Sequence, residues 1–293
     1  MLTAARVPTI MAHVDSPRPC SPILVAHLMR PLEERLLQLL RSLDAAEWEL
    51  QTIAPRWKVR DVVAHLMDTH LRKLSIVRDN HLPESLSISC DADLVDFVNR
   101  LNSEGVEFFR RFSPALLISM MEVASRESCD FHESLDPFAP ARFGVSWAGE
   151  MESLNWFDTA RELTERWHHQ QQIRTATSRP GIEVPEFYSP VLDCFMRGVP
   201  HAFREVTAPV GVSVRIDIAG PSGGTWSVFR SKSGWILTRD ELASPAACVA
   251  IDESLAWKLF SKAVSPQEAR KACSIKGDES LAVVFLHHRA IVG

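Results

Sequence analysis

From about Met151 to Thr177 the chain runs without a glycine or proline and keeps a helical pattern throughout, until Arg179-Pro180-Gly181 ends it. This is the longest helical pattern in the sequence, and a helix of that length must bury one face against neighbours. Three amphipathic segments precede it. Between Ile23 and Leu43, apolar residues recur at helical spacing through Leu28, Leu32, Leu36, Leu39/Leu40 and Leu43, interrupted by Glu33, Glu34, Arg35 and Arg41. From Val59 to Val77 the pattern repeats through Val62, Val63, Leu66, Leu74 and Val77, with Arg60, Asp61, Asp68 and Arg72 on the other face. A third helix, capped by Asp91 or Asp93, carries Leu94, Phe97, Val98, Leu101, Phe108 and Phe109 to Ser113-Pro114, where proline stops it. Residues 115–150, with Pro137, Pro140 and Gly144, read as a long, partly irregular connection. Four main helices ahead of Pro180 predict a helix bundle.

Beyond Pro185 the texture changes. A short helix around Val191 to Phe203 leads into Val212, Val214, Ile216 and Ile218, whose period-two alternation reads as a half-buried strand. A turn over Ala219 to Gly224 returns the chain through Trp226 to Phe229. Trp235 to Leu237 and Ala246 to Ile251 supply two more strands, and amphipathic helices follow near Ser254 to Ala263 and Asp278 to Ala290. The expected fold class is α+β overall. A disordered tail at residues 1–21 precedes a four-helix bundle at 22–180 and a small α+β domain with a mostly antiparallel sheet at 181–293.

Composition narrows the function classes. With 46% apolar and 24% charged residues, the 293-residue chain suits a packed globular protein. Its formal charge of −5, and the lack of a Lys/Arg run interleaved with aromatics, argue against nucleic acid as a partner. Apolar stretches such as Leu281 to Leu286 fall short of the roughly 20 residues of a membrane span. Six scattered cysteines without a CxxC pair suit reduced thiols in a cytoplasmic protein, and the N-terminus lacks the apolar core of a signal peptide. Met11, just before a proline-rich segment, offers a second translation start. Nothing in the sequence sets the oligomeric state.

The chemistry concentrates in Glu165-Arg-Trp-His-His169. Residues four apart lie on one helix face a turn apart, so the Glu165 carboxylate and the His169 imidazole can converge on one ion. A third ligand must come from another helix, and His65, set in Val62-Val-Ala-His-Leu66, is the candidate. Three N, O and N ligands with a fourth position open describe a catalytic, zinc-like site, and two imidazoles disfavour Mg2+. The same residues also read as a solvated surface pair and a hydrogen-bonded core histidine. His168 stands three residues from Glu165, the spacing of di-metal carboxylate bundles, but such bundles need the pair on two helices and this is the single copy. Asp61, Asp158 and Glu162 are candidates to orient an imidazole N–H, and His168 suits that role or packing between helices.

The phrase Trp57-Lys-Val-Arg-Asp-Val-Val-Ala-His65-Leu, followed by Glu162-Leu-Thr-Glu165-Arg-Trp-His-His169-Gln-Gln-Gln-Ile-Arg174, resembles the mycothiol-dependent maleylpyruvate isomerase family within the DinB-like bundle superfamily. The resemblance implies a four-helix bundle carrying a divalent metal, usually zinc, on His65, Glu165 and His169. It also implies a C-terminal domain similar to sterol carrier proteins over residues 211–293. Family enzymes commonly place an Asp two or three residues after the ligand histidine, where this chain has Gln170, Gln171 and Gln172. Those amides either hydrogen-bond around the metal site, Gln172 among them, or form the solvated side of the helix.

Three functions follow. In the first, the chain is a metal-dependent enzyme in which the ion activates a low-molecular-weight thiol, mycothiol-like, for transfer to or cis/trans isomerisation of a small electrophile, with no protein nucleophile. In the second it carries an apolar ligand through the C-terminal domain, where Trp226, Phe229, Trp235, Trp257 and Phe260 either line a tunnel or fill an ordinary core. The third is a catalytically idle metal-binding regulator.

Overall fold

The computed structural model describes residues 17–81 and 91–290. Its N-terminal part contains α1 (Ala26–Arg41), α2 (Val59–Lys73), α3 (Asp91–Phe109), α4 (Pro114–Ser134) and α5 (Asn155–Ala176). Helices α1 and α2 each pack against both α4 and α5, which closes a ring of four, and α3 lies outside against α2. Gly105 permits that last approach, because a Cβ there would fall 2.3 Å from the Asp68 carboxyl carbon on α2.

Helix α4 corrects the irregular connection expected over residues 115–150. Pro114, read as the stop of the helix before it, stands in the first turn of the helix after it, where a missing N–H costs nothing. Ser113 caps that turn, its Oγ accepting the Leu116 N–H at 3.3 Å. The preceding helix ends earlier, at Phe109, and begins at Asp91, so Asp91 and Asp93, expected as its cap, lie inside it, while the position before Asp91 lies outside the described residues. The remaining irregular stretch is tied back on itself by Ala141 N–H to the Ser153 carbonyl at 2.8 Å and Asn155 N–H to the Ala139 carbonyl at 3.0 Å.

The expected tail is also corrected in part. Pro19 bridges Thr238, and the Cys20 N–H donates to the Leu237 carbonyl at 3.2 Å, so residues 17–21 lie along the sheet edge. Residues 1–16, including Met11, lie outside the described residues.

After α6 (Pro185–Met196) and α7 (Val199–Ala202) comes a five-stranded sheet of order β3-β2-β1-β4-β5. Its strands are β1 (Ser213–Ala219), β2 (Gly224–Arg230), β3 (Trp235–Thr238), β4 (Ala247–Asp252) and β5 (Ser274–Gly277). Only the β1/β4 pair is parallel, crossing over through the antiparallel hairpin of β2 and β3. Along β1, Val214, Ile216 and Ile218 are buried while Arg215 and Asp217 are half-exposed, which is the alternation the sequence predicts. Helices α8 (Glu253–Phe260), α9 (Pro266–Ala272) and α10 (Glu279–Leu286) complete the unit, α9 and β5 being unanticipated.

One apolar core joins the two parts. It runs from Met29 and Leu32 of α1 through Leu163 and Trp167 of α5 and Phe195 of α6 to Ile216, Trp257 and Phe285. Trp226, Trp235, Trp257 and Phe260 pack in this core and Phe229 is buried beside it. A second cluster, with Leu36, Leu40, Val62, Leu66, Met121 and Ile173, occupies the other end of the bundle. The chain passes between the two clusters through buried charged and polar side chains on every bundle helix, among them Glu33, His70, Ser128 and Arg166.

Candidate metal centre

Helix α2 begins where the Lys58 N–H donates to the Asp61 carboxylate at 3.0 Å, a cap set three residues into the helix. The strand-like loop before it is fastened by Val59 N–H to the Leu50 carbonyl at 3.0 Å, and by Thr52 Oγ1, which donates to the Trp57 carbonyl at 2.6 Å. This bracing holds the half-buried Trp57 indole against two imidazoles, its ring centroid 4.6 Å from that of His65 and 5.6 Å from that of His169. His65 lies two turns into α2, among Val62, Val63 and Leu66 on the buried face.

Helix α5 supplies the rest. His65, Glu165 and His169 come together, each offering one ligand atom within 4.8 Å of the others. His169 Nε2 stands 3.6 Å from Glu165 Oε2. A tetrahedral zinc ion sets its ligand atoms about 3.3 Å apart, so this N, O, N set needs only small side-chain rotations to close on one. His65 Nδ1 is buried without a hydrogen-bond partner among the described residues, an unpaired polar atom of the kind a bound group satisfies. Both imidazoles are nearly fully buried and the Glu165 side chain keeps 25% of its exposure, so the site opens on the Glu165 side. The donor set therefore fits a divalent ion.

The electrostatics favour an ionised Glu165 and neutral His65 and His168. Burial pushes the Glu165 carboxyl up, but the His169 imidazole beside it, with the charges of His168 and Arg161, holds it down at about 2. Burial, reinforced by His169, puts His65 well below the usual histidine range and His168 at about 4. A neutral His65 and an ionised Glu165 are the protonation states that a metal site needs of those two groups, since a ligating imidazole must be neutral.

The residues proposed to orient the ligands separate. Gln172 Oε1 lies 2.9 Å from His169 Nδ1. His168 lies against His169, ring centroids 3.9 Å apart and planes tilted by 37°, and its Nδ1 lies 2.9 Å from the Thr164 carbonyl. Asp61, Asp158 and Glu162 are corrected. The Asp61 carboxylate is spent on the α2 cap and on Arg110 at 2.9 Å, while Asp158 and Glu162 pair with Lys73 at 2.5 and 3.4 Å and with Arg161 at 3.0 and 2.5 Å. The glutamines are not a solvated helix side, for all three are buried. Gln170 donates to the Leu32 carbonyl at 3.0 Å and Gln171 to Glu183 at 2.8 Å, so of the three Gln172 is the one that meets His169.

The polar layer beside the site was not anticipated. Glu33 Oε1 lies 3.2 Å from Arg166 Nη1 and 3.4 Å from His70 Nε2, and Arg166 Nη2 donates to Ser128 at 2.7 Å. Its signal is present in the sequence, because Glu33 shares the helical row of Met29, Leu36 and Leu40, all of which are buried. A charge on that row points inward.

Residues 29–174 match the family model described as the mycothiol maleylpyruvate isomerase N-terminal domain. Among curated proteins, an uncharacterized protein of Mycobacterium tuberculosis, found in two strains, is 27% identical over 203 residues, covering 68% of this chain and 74% of the relative. Among solved structures, mycothiol-dependent maleylpyruvate isomerase aligns over 80% of this chain and 86% of its own, with a TM-score of 0.51 at 10% identity. A histidine-to-alanine variant of that enzyme aligns over 86% and 91%, with a TM-score of 0.53 at 8% identity. At such identities the structural likeness is one of fold. Among the described residues, no helix is long and apolar enough to cross a membrane.

Proposed function

Residues 29–174 belong to the mycothiol maleylpyruvate isomerase N-terminal domain family, and on that premise we propose that the chain is a metal- and thiol-dependent enzyme acting on a small electrophile. The observation that carries the reading is the convergence of His65, Glu165 and His169, two buried imidazoles beside a partly exposed carboxylate. Two imidazoles and one carboxylate suit Zn2+ and disfavour Mg2+. When bound, the ion supplies a Lewis-acidic position at which a low-molecular-weight thiol such as mycothiol loses its proton at neutral pH. The chain's own groups bind and orient. Glu165 contributes the single negative charge of the ligand set, and His65 and His169 present neutral nitrogen. Trp57 covers both rings and keeps water from that flank, so small molecules approach past Glu165. No protein nucleophile is required; Tyr188, the single tyrosine, lies in the core with its hydroxyl donating to the Glu253 carbonyl. The reaction is transfer of the thiol to the electrophile or, where addition is reversed after bond rotation, cis/trans isomerisation.

Metal analysis of the purified protein with His65→Ala and His169→Ala variants tests the reading, together with thiol-dependent turnover of a cis-configured electrophile. Near-stoichiometric metal in the wild type, its loss in both variants and turnover only with thiol present are the expected results. A wild type that binds no divalent ion, or variants that retain it, would overturn the proposal.

A further inference from the structure

Three glutamines follow the second ligand histidine of α5, and only Gln172 meets it. Its Oε1 lies 2.9 Å from His169 Nδ1, and both side chains are buried. An amide oxygen can only accept, so the imidazole keeps a proton on Nδ1, which leaves Nε2, 3.6 Å from Glu165 Oε2, as the nitrogen that can take an ion. Gln172 is also neutral. Asp61, Asp158 and Glu162 are committed to Arg110, Lys73 and Arg161. The ligand set thus has one negative charge, that of Glu165, and no carboxylate among the described residues stands behind either imidazole to add a second.

From this arrangement we infer that Gln172 is a positioning residue that fixes the His169 tautomer and, by being an amide, leaves the centre with a preference for an anionic fourth ligand. The first half stands on the metal-free geometry, and the second rests on the function proposed above. A divalent ion on two neutral imidazoles and one carboxylate keeps a net charge of +1, which a thiolate neutralises and a neutral donor does not. A carboxylate at position 172 would share its charge with the imidazole, making His169 the better ligand and the ion less attractive to an anion.

The test uses the full-length protein with 15N-labelled histidine, first without metal. Long-range 1H–15N correlation should show His169 protonated on Nδ1 in the wild type and in Gln172→Glu, and redistributed toward Nε2 in Gln172→Ala. Titration with Zn2+ and Co2+ should then give metal affinity weakened roughly 10- to 100-fold in Gln172→Ala and tightened by a similar factor in Gln172→Glu. On the Co2+-loaded proteins, the sulfur-to-metal charge-transfer band of added 2-mercaptoethanol should saturate at higher thiol concentration in Gln172→Glu than in wild type. Unchanged tautomer in Gln172→Ala would overturn the positioning role. Equal thiol affinity in wild type and Gln172→Glu would overturn the anion preference. A wild type that shows the expected tautomer but takes up no ion would instead count against the proposed function, which separates the two failures.

Discussion

Lys73 Nζ lies 2.5 Å from Asp158 Oδ2, an ion pair between α2 and α5 in which the two side chains keep 8% and 5% of their exposure. Glu162 stands 3.4 Å from the same ammonium, and Arg161 closes the group from the other side. Burial pushes the Asp158 carboxyl up, but Lys73 and Arg161 hold it below the usual carboxylate range. Removing one partner strands a charge in the bundle. Asp158→Ala should cost about 3–5 kcal/mol of stability, read from urea unfolding, and a loss below about 1 kcal/mol would show that the pair is not desolvated as the structure has it.

Acid should weaken the fold well before the carboxylates titrate. Burial holds His132 down at about 3 and His288 at about 4, so both stay neutral in the folded chain. Unfolded, each takes up a proton near pH 6.5, and the folded state does not. Their contribution is therefore complete above pH 6.5 and declines as pH falls from there toward 4, by about 1.4 kcal/mol per pH unit for each residue. Between pH 7.5 and 5.5 these two rings alone should take roughly 3 kcal/mol from the stability read by urea unfolding, and the difference should be smaller in His288→Gln. Identical midpoints at the two pH values would contradict the burial of these rings.

Trp167 of α5 lies flat on Tyr188 of α6, ring centroids 4.4 Å apart and 4° from parallel, with Trp257 of α8 edge-on at 6.0 Å. The Trp167 indole N–H donates to the Ile182 carbonyl at 2.9 Å. This stack joins the bundle to the sheet through the shared core. Trp167→Ala should cost about 3–5 kcal/mol, whereas Tyr188→Phe, which removes only a hydroxyl, should cost about 0.5–1.5 kcal/mol. Calorimetry should also show one transition in the wild type, and two separated transitions would mean that the two parts fold independently of the stack.

If the three ligands bind an ion in the folded chain alone, metal becomes folding free energy. Zinc at 100 times its dissociation constant should stabilise the wild type by about 2.7 kcal/mol and raise Tm by several degrees, and EDTA should reverse the gain. The shift should vanish in His65→Ala. A Tm that responds equally in the variant would place the ion elsewhere.

What could be read from the chain followed the range of each signal. The i,i+4 spacing of Glu165 and His169 is local, set by the helical repeat, and periodicity marked α1, α2, α5 and β1 for the same reason. Helix α4 is hard to read because a proline suits both the end of one helix and the first turn of the next, and only the Ser113 cap shows that Pro114 starts α4, α3 having already ended at Phe109. Asp61, Asp158 and Glu162 were placed on the right helices but assigned the wrong partners, since a carboxylate's partner is decided by which cation the neighbouring helix brings to it.

The sequence by itself determined the α+β class, the two motif helices and the three residue types that a metal site needs, because composition, periodicity and spacing act within one element. The tertiary structure alone decided that His65 of α2 reaches Glu165 and His169 of α5, that Trp57 covers both rings, and that Gln172, not an acid, stands behind His169. It also decided that Glu33, Lys73 and Arg166 face inward as compensated charges, and that the C-terminal aromatics fill a core. These are contacts between distant segments, and their geometry exists only once the helices have packed.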